Sequence, residues 1–380
     1  MHVAINGWFW DQPYTGSGQY VRNLLHNLRR VAPQLTLTLV TPAHIHQPDS
    51  LPEGVQAVHA AAPGGKLGKV WFEQRSYPAA VARVGADIAH VPYWGPPLAV
   101  SARLVVSVLD VIPLAIPDYA ASVGARLYTS LVTAAARGAA HIITLSNASK
   151  RDIVERIGFP AKQITVTYLA ADEVYHPRMG AERDRQVRAK YDLPDRFALY
   201  MGSFDVRKQV NRLLLAYSYV GPAEGEEAPL ILAGTTPPWG KPLFPDLPAY
   251  ARELKIEHYV RWIGRVEEAD KPSLYRLATV FIYPSIYEGF GLQVIEAMAS
   301  GVPVIASDIP VMRELVGDAA YLVDPNDARA LGGAILALLL QNPLRDQQIQ
   351  RGLSQSTRYS YRKTARETLG VYERVMRGET

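Results

Sequence analysis

Two glutamates separated by a glycine-rich turn are the residues of this sequence best suited to chemistry. Glu288 and Glu296 stand eight positions apart with a Gly-Phe-Gly turn between them, and the pattern predicts a helix from the turn to Gly301. Glycine lets a ligand approach the backbone closely, and the free N–H groups of a helix's first turn favour phosphate. We expect Glu296 to accept hydrogen bonds from a ribose diol and Glu288 to face a sugar ring. The alternative is a solvated helix N-terminus with a capping carboxylate.

Two adjacent cations offer a place for a diphosphate. Arg207 and Lys208 follow a predicted strand over 197–201 and precede a predicted helix over 211–220. An arginine can hold two phosphate oxygens at once, and a lysine adds a compact point charge. Taken alone, such a pair is more typical of a solvated loop, but together with Glu296 it favours a nucleotide diphosphate as the ligand.

Strand and helix patterns alternate along both halves of the chain. In the first half, apolar runs predict strands at 2–6, 35–40, 88–91, 104–108, 141–145 and 164–166. In the second half, they predict strands at 197–201, 230–233, 260–263, 280–283 and 303–306. Apolar runs alternating with helices are typical of buried parallel strands in a doubly wound sheet. We therefore predict an α/β protein with two such sheets, in which ligands bind beyond the carboxyl ends of the strands.

The chain length of 380 residues suits two domains of ordinary size. We place an N-terminal domain at 1–172 and a C-terminal domain at 196–358. Between them, the polar segment 173–195 contains Pro177 and Pro194 and is predicted to be a linker or hinge. The last segment, 359–380, is predicted to be a helix.

Composition narrows the class of protein. Cysteine is absent, which excludes disulfides and thiolate metal sites and suits the cytoplasm. The opening apolar stretch lacks a basic region and is broken by Asp11 and Pro13, so it does not predict a signal peptide. No apolar run approaches the ~20 residues that a transmembrane helix needs. We expect a cytoplasmic protein.

The formal net charge is +4, but no clustered basic stripe is interleaved with aromatic residues, so nucleic acid is not an expected partner. A basic and aromatic segment over 64–85 contains Lys66, Lys69, Trp71, Arg75 and Arg83. It fits either a helix on an anionic membrane surface or, as we favour, an ordinary amphipathic helix packed on a sheet. Peripheral contact with the inner face of a membrane therefore stays an open expectation.

The marker stretch 284–304, PSIYEGFGLQVIEAMASGVPV, resembles that of the retaining nucleotide-sugar glycosyltransferases of the glycogen-synthase-like family four. Gln293 stands where proline is usual. The resemblance implies a GT-B fold, in which two Rossmann-like domains face a cleft and the last helix crosses back to the first domain. It implies that the domain at 1–172 is the acceptor-side domain and that the domain at 196–358 binds the nucleotide sugar. It also implies retaining transfer of a hexose, with mannose favoured, from a GDP- or UDP-linked sugar to a saccharide or lipid-linked acceptor. Cell-surface polysaccharide or glycolipid synthesis is the expected setting.

The resemblance also assigns residues to the nucleotide sugar. Lys208 occupies the position of the family's shared lysine, and Arg207 is expected to compensate for Ser203, which replaces an arginine. The base is expected against backbone groups near Val266, and the glycine loop near the N-terminus is expected near the donor phosphates. The loop is not the dinucleotide fingerprint, because it lacks the third glycine and the acidic residue of that pattern. The expected nucleotide-sugar contacts are therefore Gly16, Gly18, Arg207, Lys208, Val266, Gly289, Phe290, Gly291, Leu292 and Glu296.

The clearest departure from the family lies at Leu109-Asp110, where related mannosyl- and rhamnosyl-type transferases carry His-Asp. We expect Asp110 either to orient or deprotonate an acceptor hydroxyl or to cap a turn. His90, at the end of a predicted strand, is the nearest candidate to replace the family histidine, although such a histidine is more often structural. We expect Ser146 to cap a helix, and the alternative is that it contacts the ligand. Glu288, the other catalytic candidate, is expected to contact the ring hydroxyls of the hexose.

Positive side chains and helix N-termini can do the work of a metal ion at a diphosphate, and no His, Asp or Glu cluster has metal-ligand spacing. We therefore expect neither a metal nor another cofactor. Two alternatives remain: a sugar phosphorylase of the same fold, and a catalytically silent sugar-nucleotide-binding partner of a glycan-assembly complex, which Leu109 keeps open.

Overall fold

Two fully parallel β-sheets organise the protein in the computed structural model, which describes residues 1–45, 49–65, 67–178 and 180–379. The chain divides into two compact units. The first consists of Met1–Leu169 and Ser360–Thr380, and the second of Ala170–Tyr359. Lys66, which we included in the basic and aromatic segment, lies outside the described residues.

The sheet of the first unit has seven strands in the order β3-β2-β1-β4-β5-β6-β7. They are β1 (His2–Asn6), β2 (Thr36–Pro42), β3 (Val55–Ala60), β4 (Ile88–Val91), β5 (Arg103–Ser107), β6 (His141–Thr144) and β7 (Ile164–Val166). Its helices before the second unit are α1 (Gly16–Val31), α2 (Gly68–Trp71), α3 (Tyr77–Val84), α4 (Ile112–Ala115), α5 (Val123–Arg137) and α6 (Asn147–Asp152). A π-helical turn, Phe72–Ser76, joins α2 to α3.

The sheet of the second unit has six strands in the order β10-β9-β8-β11-β12-β13. They are β8 (Ala198–Met201), β9 (Leu230–Ala233), β10 (Val260–Gly264), β11 (Val280–Tyr283), β12 (Val304–Ser307) and β13 (Tyr321–Val323). Its helices are α7 (Ala181–Lys190), α8 (Val210–Val220), α9 (Leu247–Glu253), α10 (Lys271–Leu277), α11 (Leu292–Ala299), α12 (Pro310–Val316), α13 (Ala328–Leu340) and α14 (Asn342–Ser356).

The central strands are buried on both faces. Strands β4, β8, β9 and β11 have no half-buried or exposed residue. A parallel strand covered by helices on both sides must be apolar at every position, so it forms a continuous run in the sequence. The two predicted doubly wound parallel sheets are both present.

The segment predicted as a linker, 173–195, contains the helix α7, which belongs to the second unit. Only Val187 of this helix is buried. Ion pairs hold it instead: Asp184 accepts from Arg276 of α10 at 2.6 Å, and Lys190 donates to the fully buried Asp270 at 2.8 Å. Because these partners lie in a distant part of the sequence, the apolar pattern alone does not predict the helix.

The last helix, α15 (Tyr361–Arg377), belongs to the first unit and packs against α1. Its buried side includes Ala365, Val371, Tyr372 and Val375. The first unit is therefore built from two separate stretches of the chain.

Candidate functional site

The marker loop runs from the end of β11 to the start of α11. Gly291 precedes the helix with a φ of 111°, and a Cβ atom there would lie 2.4 Å from Cε of Met312. Only glycine adopts such a backbone readily and leaves this space free. The sequence Gly-Phe-Gly thus lets the chain turn tightly from the strand into the helix.

Glu288 lies between the two predicted cations of this loop region. Its Oε1 is 2.7 Å from Nζ of Lys208 and 2.5 Å from Nη1 of Arg207. The three side chains are about nine-tenths buried, with 10%, 7% and 11% of their surfaces exposed, respectively. The structure thus brings together a carboxylate predicted to face the sugar and two cations predicted to face the diphosphate.

Local structure places the cations. They lie on a short 3₁₀ turn, Val206–Lys208, after β8, and Asp205 caps the turn by accepting from the N–H of Arg207 at 3.2 Å. Gln209 then adopts a left-handed conformation with a φ of 49°, which costs a non-glycine residue energy and is frequent near functional sites. The N–H of Ile286 donates to the carbonyl of Arg207 at 3.0 Å, which ties this turn to the marker loop.

The two cations keep Glu288 ionised. Burial by itself raises the pKa of the Glu288 carboxyl, but the charges of Lys208 and Arg207 outweigh it and hold the pKa at about 2. The Lys208 ammonium also donates to the hydroxyl of Tyr283 at 2.9 Å and lies 4.5 Å from the centre of its ring. Asp205 also lies 3.6 Å from Nε of Arg207, so two cations and two carboxylates balance in charge. Arg207 and Lys208 are the groups of this set that a phosphate could contact.

Glu296 projects from α11 into a different environment. Its Oε2 accepts from the hydroxyl of Tyr275 at 3.1 Å, and it also pairs with the hydroxyl of Tyr175. Burial raises the pKa of the Glu296 carboxyl to about 7, although Lys271 and the two tyrosines oppose the rise. Because this carboxylate accepts hydrogen bonds from two hydroxyl groups in the structure, it has the hydrogen-bonding capacity that we expected for binding a ribose diol.

The remaining predicted contacts of the second unit lie in the marker loop, at the start of α11 and in the loop after β10. Phe290 is buried and meets the ring of Tyr359 edge-on at 6.1 Å. Leu292 is the first residue of α11, Gly289 is buried in the marker loop, and Val266 is buried in the loop after β10. Their contacts with a nucleotide sugar stay predictions.

The N-terminal glycine loop starts α1. Thr15 caps the helix by accepting from the N–H of Gly18 at 3.1 Å. A Cβ at Gly18 would lie 2.0 Å from the carbonyl oxygen of Gln12, so glycine is required there, whereas Gly16 has no atom within 4 Å of a Cβ position. Gly18 therefore has a packing role, and a role of Gly16 at a ligand stays a prediction.

Asp110 and Ser146 both cap turns of the backbone. Asp110 Oδ1 accepts from the N–H of Ile112 at 3.1 Å, and Ser146 Oγ accepts from the N–H of Ser149 at 3.0 Å. Asp110 is half-buried and Ser146 is fully buried. The capping alternatives that the sequence allowed are present, and catalytic or ligand roles for these two residues stay predictions.

His90 is fully buried, and both of its ring nitrogens are hydrogen-bonded within the first unit. Nδ1 lies 2.6 Å from the hydroxyl of Tyr372 in α15, and Nε2 lies 2.8 Å from Oγ of Ser107. Burial lowers the pKa of His90 to about 3, so the ring stays neutral. This geometry is that of a structural histidine. The sequence allowed either this role or a direct role at the donor sugar.

Three tyrosines at the site were missed by the sequence reading: Tyr175, Tyr275 and Tyr283. Tyr283 ends the strand before the marker loop, and this position at the carboxyl end of a central strand was a usable signal.

Among the described residues, no group of three or more His, Asp or Glu side chains is arranged to hold a metal ion. No helix within the described ranges is long and apolar enough to cross a membrane.

Two family models match consecutive parts of the chain. Glycosyltransferase Family 4 matches residues 14–173, and Glycosyl transferases group 1 matches residues 182–355. The first match falls mostly in the first structural unit and the second in the second unit, which contains Arg207, Lys208, Glu288 and Glu296.

Curated relatives include several mannosyltransferases. The O-antigen chain mannosyltransferase B of Escherichia coli is 36% identical over 233 residues, which cover 61% of this chain and 60% of that protein. The MMP alpha-(1->4)-mannosyltransferase of Mycolicibacterium hassiacum is 30% identical over 253 residues, which cover 63% of this chain and 56% of that protein. The chain thus matches less than two thirds of the length of these relatives.

Among solved structures, the sucrose-phosphate synthase of Thermosynechococcus elongatus superposes with a TM-score of 0.78. The match covers 99% of both chains at 22% sequence identity, so it shows the fold. The predicted GT-B fold is confirmed. Together with the two family models, which match consecutive parts of the chain, this agreement supports a glycosyltransferase of GT-B fold, and mannosyltransferases are among its relatives.

Proposed function

We propose that this protein is a retaining glycosyltransferase that moves a hexose, with mannose favoured, from a GDP- or UDP-linked sugar to a saccharide or lipid-linked acceptor. The observation that carries the proposal is the buried group of Arg207, Lys208 and Glu288 beside the marker loop. The mannosyltransferases among the relatives support the choice of sugar. Synthesis of a cell-surface polysaccharide or glycolipid is the setting that this activity suits.

The two cations stabilise the nucleotide diphosphate as it leaves the sugar. The leaving diphosphate gains negative charge as the bond to the sugar breaks, and fixed cations stabilise that charge without having to reorganise. Lys208 and Arg207 already pair with Glu288, and Arg207 also pairs with Asp205. A diphosphate would therefore share the two cations with these carboxylates rather than replace them. Their charge makes a metal ion unnecessary, and the proposed reaction is metal-independent and needs no cofactor.

The carboxylates serve different parts of the donor. Glu296 accepts from the ribose hydroxyls, in place of or beside the tyrosines that it contacts now. Glu288, held ionised by its cations, accepts from ring hydroxyls of the hexose and places the sugar. In the proposed front-face displacement, the acceptor oxygen bonds to the anomeric carbon as the bond to phosphate breaks. The acceptor proton passes to the leaving phosphate oxygen.

We also propose peripheral contact with an anionic membrane surface through the first unit. Leu67 and Trp71 are exposed, at 76% and 52%, one helical turn apart, and Arg75 follows at the next turn. Exposed apolar side chains beside a cation suit the headgroup region of a bilayer. Flotation with liposomes that contain or lack anionic lipid tests this contact, and a Trp71→Ala variant that floats as well as the wild type would refute it.

The direct test of the function is incubation of the purified chain with GDP- and UDP-linked mannose, glucose and galactose, with and without a panel of free and lipid-linked saccharides. We expect release of nucleoside diphosphate, a product with the anomeric configuration of the donor by NMR, and activity that survives excess EDTA. An inverted product would exclude retention, and a complete, magnesium-reversible loss in EDTA would exclude metal independence. Tight nucleotide binding without turnover from any donor would favour the silent-partner alternative.

A further inference from the structure

A cluster of aromatic and charged side chains lies at the carboxyl edge of the first sheet. Strands β1 and β4 are neighbours at the centre of this sheet, and the strand order changes direction between them. In open parallel sheets, ligands bind in the crevice where the connections diverge at such a point. Phe9 follows β1, and Tyr93 and Trp94 follow β4, so their loops border this point.

A buried carboxylate anchors the cluster. Glu73 has no exposed surface and lies on the π-helical turn between α2 and α3. Its Oε1 accepts from Nζ of Lys69 at 2.6 Å, and its two oxygens accept from the hydroxyl of Tyr128 at 3.0 and 3.1 Å. Glu73 also pairs with Tyr93.

The ammonium of Lys69 is held among aromatic rings. Its Nζ lies 4.6 Å, 4.9 Å and 5.8 Å from the ring centres of Tyr128, Tyr93 and Phe9, respectively. It donates to Glu73 and to the hydroxyl of Tyr128, whereas an ammonium has three protons to donate. The Lys69 side chain is 28% exposed, and Phe9 and Tyr128 are half-buried, so solvent reaches this side of the cluster.

Two polar atoms beside the cluster lack a partner within the described part of the chain. Nδ2 of Asn6, at the end of β1, and Nε1 of Trp94 are both buried without a hydrogen bond. Asn6 has no exposed surface, and its Oδ1 accepts from the hydroxyl of Tyr93 at 3.3 Å. A buried donor left without an acceptor is costly, so these two donors have hydrogen-bonding capacity that the described residues leave unused.

The chemistry of the cluster selects the class of ligand. Glu73 offsets the charge of Lys69, so the cluster does not favour a strongly charged group. Donors and acceptors that stand beside aromatic rings instead suit a molecule with several hydroxyls and apolar C–H faces. A sugar ring has both features.

We propose that this cluster binds a saccharide, which under the proposed function is the acceptor. Lys69 and Tyr128 hydrogen-bond its hydroxyls, and Phe9 packs against its ring. Glu73 is a positioning residue, since it orients Lys69 and Tyr128 from beneath. The role of this saccharide as the acceptor rests on the proposed function, whereas saccharide binding by the first unit does not.

The experiment measures saccharide binding and transfer separately on the full chain. Ligand-observed NMR with methyl α-D-mannopyranoside, mannobiose and mannotriose, and with their glucose and galactose counterparts, reports binding. Initial rates with the best acceptor give the acceptor KM, and nucleotide release without acceptor reports the donor side. The variants are Tyr128→Phe, Lys69→Met and Glu73→Gln.

The second unit supplies a matched control. There Lys190 and Tyr191 contact the buried Asp270 at 2.8 Å and 3.0 Å, respectively, which repeats the lysine, tyrosine and buried carboxylate of the cluster in a place that anchors α7. Lys190→Met and Tyr191→Phe should leave saccharide binding and acceptor KM within about twofold of wild type.

We expect Tyr128→Phe and Lys69→Met to raise the acceptor KM at least tenfold and to leave nucleotide release without acceptor within twofold. Glu73→Gln should do the same, with little change in kcat. If Lys69→Met or Glu73→Gln does not fold, the Tyr128→Phe variant alone tests the proposal, since it removes only one oxygen atom.

An unchanged acceptor KM and unchanged NMR signal in Tyr128→Phe would overturn the proposal, as would a wild type that binds none of the saccharides. Saccharide binding that is lost in Tyr128→Phe, in a protein that turns over no nucleotide sugar, would support this site and reject the proposed function.

Discussion

Lys208 and Glu288 form a buried ion pair with an N–O distance of 2.7 Å, although they lie 80 residues apart in the sequence. The pair joins the loop after β8 to the loop after β11, whose strands are neighbours in the sheet. Removal of one partner of a buried pair leaves the other charge uncompensated, which typically costs about 3–5 kcal/mol. Each variant of this pair must therefore be checked for folding before its ligand affinity is interpreted.

Lys208→Ala is expected to weaken binding of a nucleoside diphosphate by roughly ten- to a hundredfold, because a charged hydrogen bond contributes about 1.5–3 kcal/mol. Affinity for the nucleoside should change little, since it lacks the diphosphate. Arg207→Ala should behave similarly. Isothermal calorimetry with both ligands measures the difference, with Lys190→Ala as a control lysine that also contacts a buried acid. Wild-type affinity for the diphosphate in both variants would place the diphosphate elsewhere.

Glu288→Gln is expected to lower turnover more than nucleotide affinity. The amide keeps the shape of the side chain but offers one oxygen acceptor in place of a carboxylate, so the hexose is placed less well while the cations stay available to the diphosphate. Steady-state rates and calorimetry on the same preparation give the two effects. A variant that loses nucleotide affinity and keeps kcat would reverse the assignment of Glu288 and Glu296.

Nucleotide affinity should rise with pH around neutrality, because the pKa of Glu296 is about 7 and the ionised carboxylate accepts hydroxyls better. Glu296→Gln cannot ionise and should bind the nucleotide more weakly, with an affinity nearly independent of pH between 6 and 8. Calorimetry at several pH values measures both. Parallel pH profiles for the wild type and Glu296→Gln would contradict the role of this carboxyl.

The same pKa predicts a change in stability. The folded pKa of Glu296 lies above the ordinary value of 4.5, so its contribution to stability is fully present below about pH 4.5 and is lost as pH rises through 7. Glu296→Gln should therefore gain stability relative to wild type above pH 7, by up to about 3 kcal/mol. Thermal unfolding at pH 5 and pH 8 tests the sign. A variant that is relatively less stable at pH 8 than at pH 5 would refute it.

His90→Ala should lower stability and cost less than about tenfold in turnover, or roughly 1.4 kcal/mol. The substitution leaves the hydroxyl of Tyr372 without its buried partner, at a cost of about 1–3 kcal/mol, whereas Ser107 keeps its hydrogen bond with Tyr20 at 2.9 Å. Tyr372→Phe is the matched variant, because it removes one side of the same hydrogen bond from α15. A loss of a thousandfold or more in kcat for His90→Ala, with a stable fold, would show that this histidine acts in the reaction.

The strands of the two sheets could be predicted because parallel strands covered on both faces are continuous apolar runs, as at Leu230–Ala233 and Val280–Tyr283. Strand β3 was missed because it lies at an edge of its sheet and mixes buried with exposed residues, and β13 because only its last residue, Val323, is buried. Short patterns of this kind carry little periodic signal.

The loops with Arg207, Lys208, Glu288 and Glu296 could be identified from residue type and position, since each follows or precedes an apolar run. Their pairing could not be predicted, because it depends on which strands are neighbours in the sheet. The partners of Glu296 and His90 are likewise tertiary contacts, and His90 meets Tyr372 across 282 residues. The residue types indicated which ligands these loops could bind, but the ion pairs and pKa shifts of the residues depend on tertiary contacts that only the folded structure shows.

The membership of α15 in the first unit determines the order in which the two units can be completed during synthesis. The ribosome releases all of the second unit, Ala170–Tyr359, before Ser360 and the helix that follows. Until then, the nascent first unit lacks the side chains that cover α1 and the hydroxyl that satisfies His90. The second unit is complete once residue 359 has been synthesised, whereas a truncation at that residue would remove the helix that packs on α1 and leave the first unit with an open core.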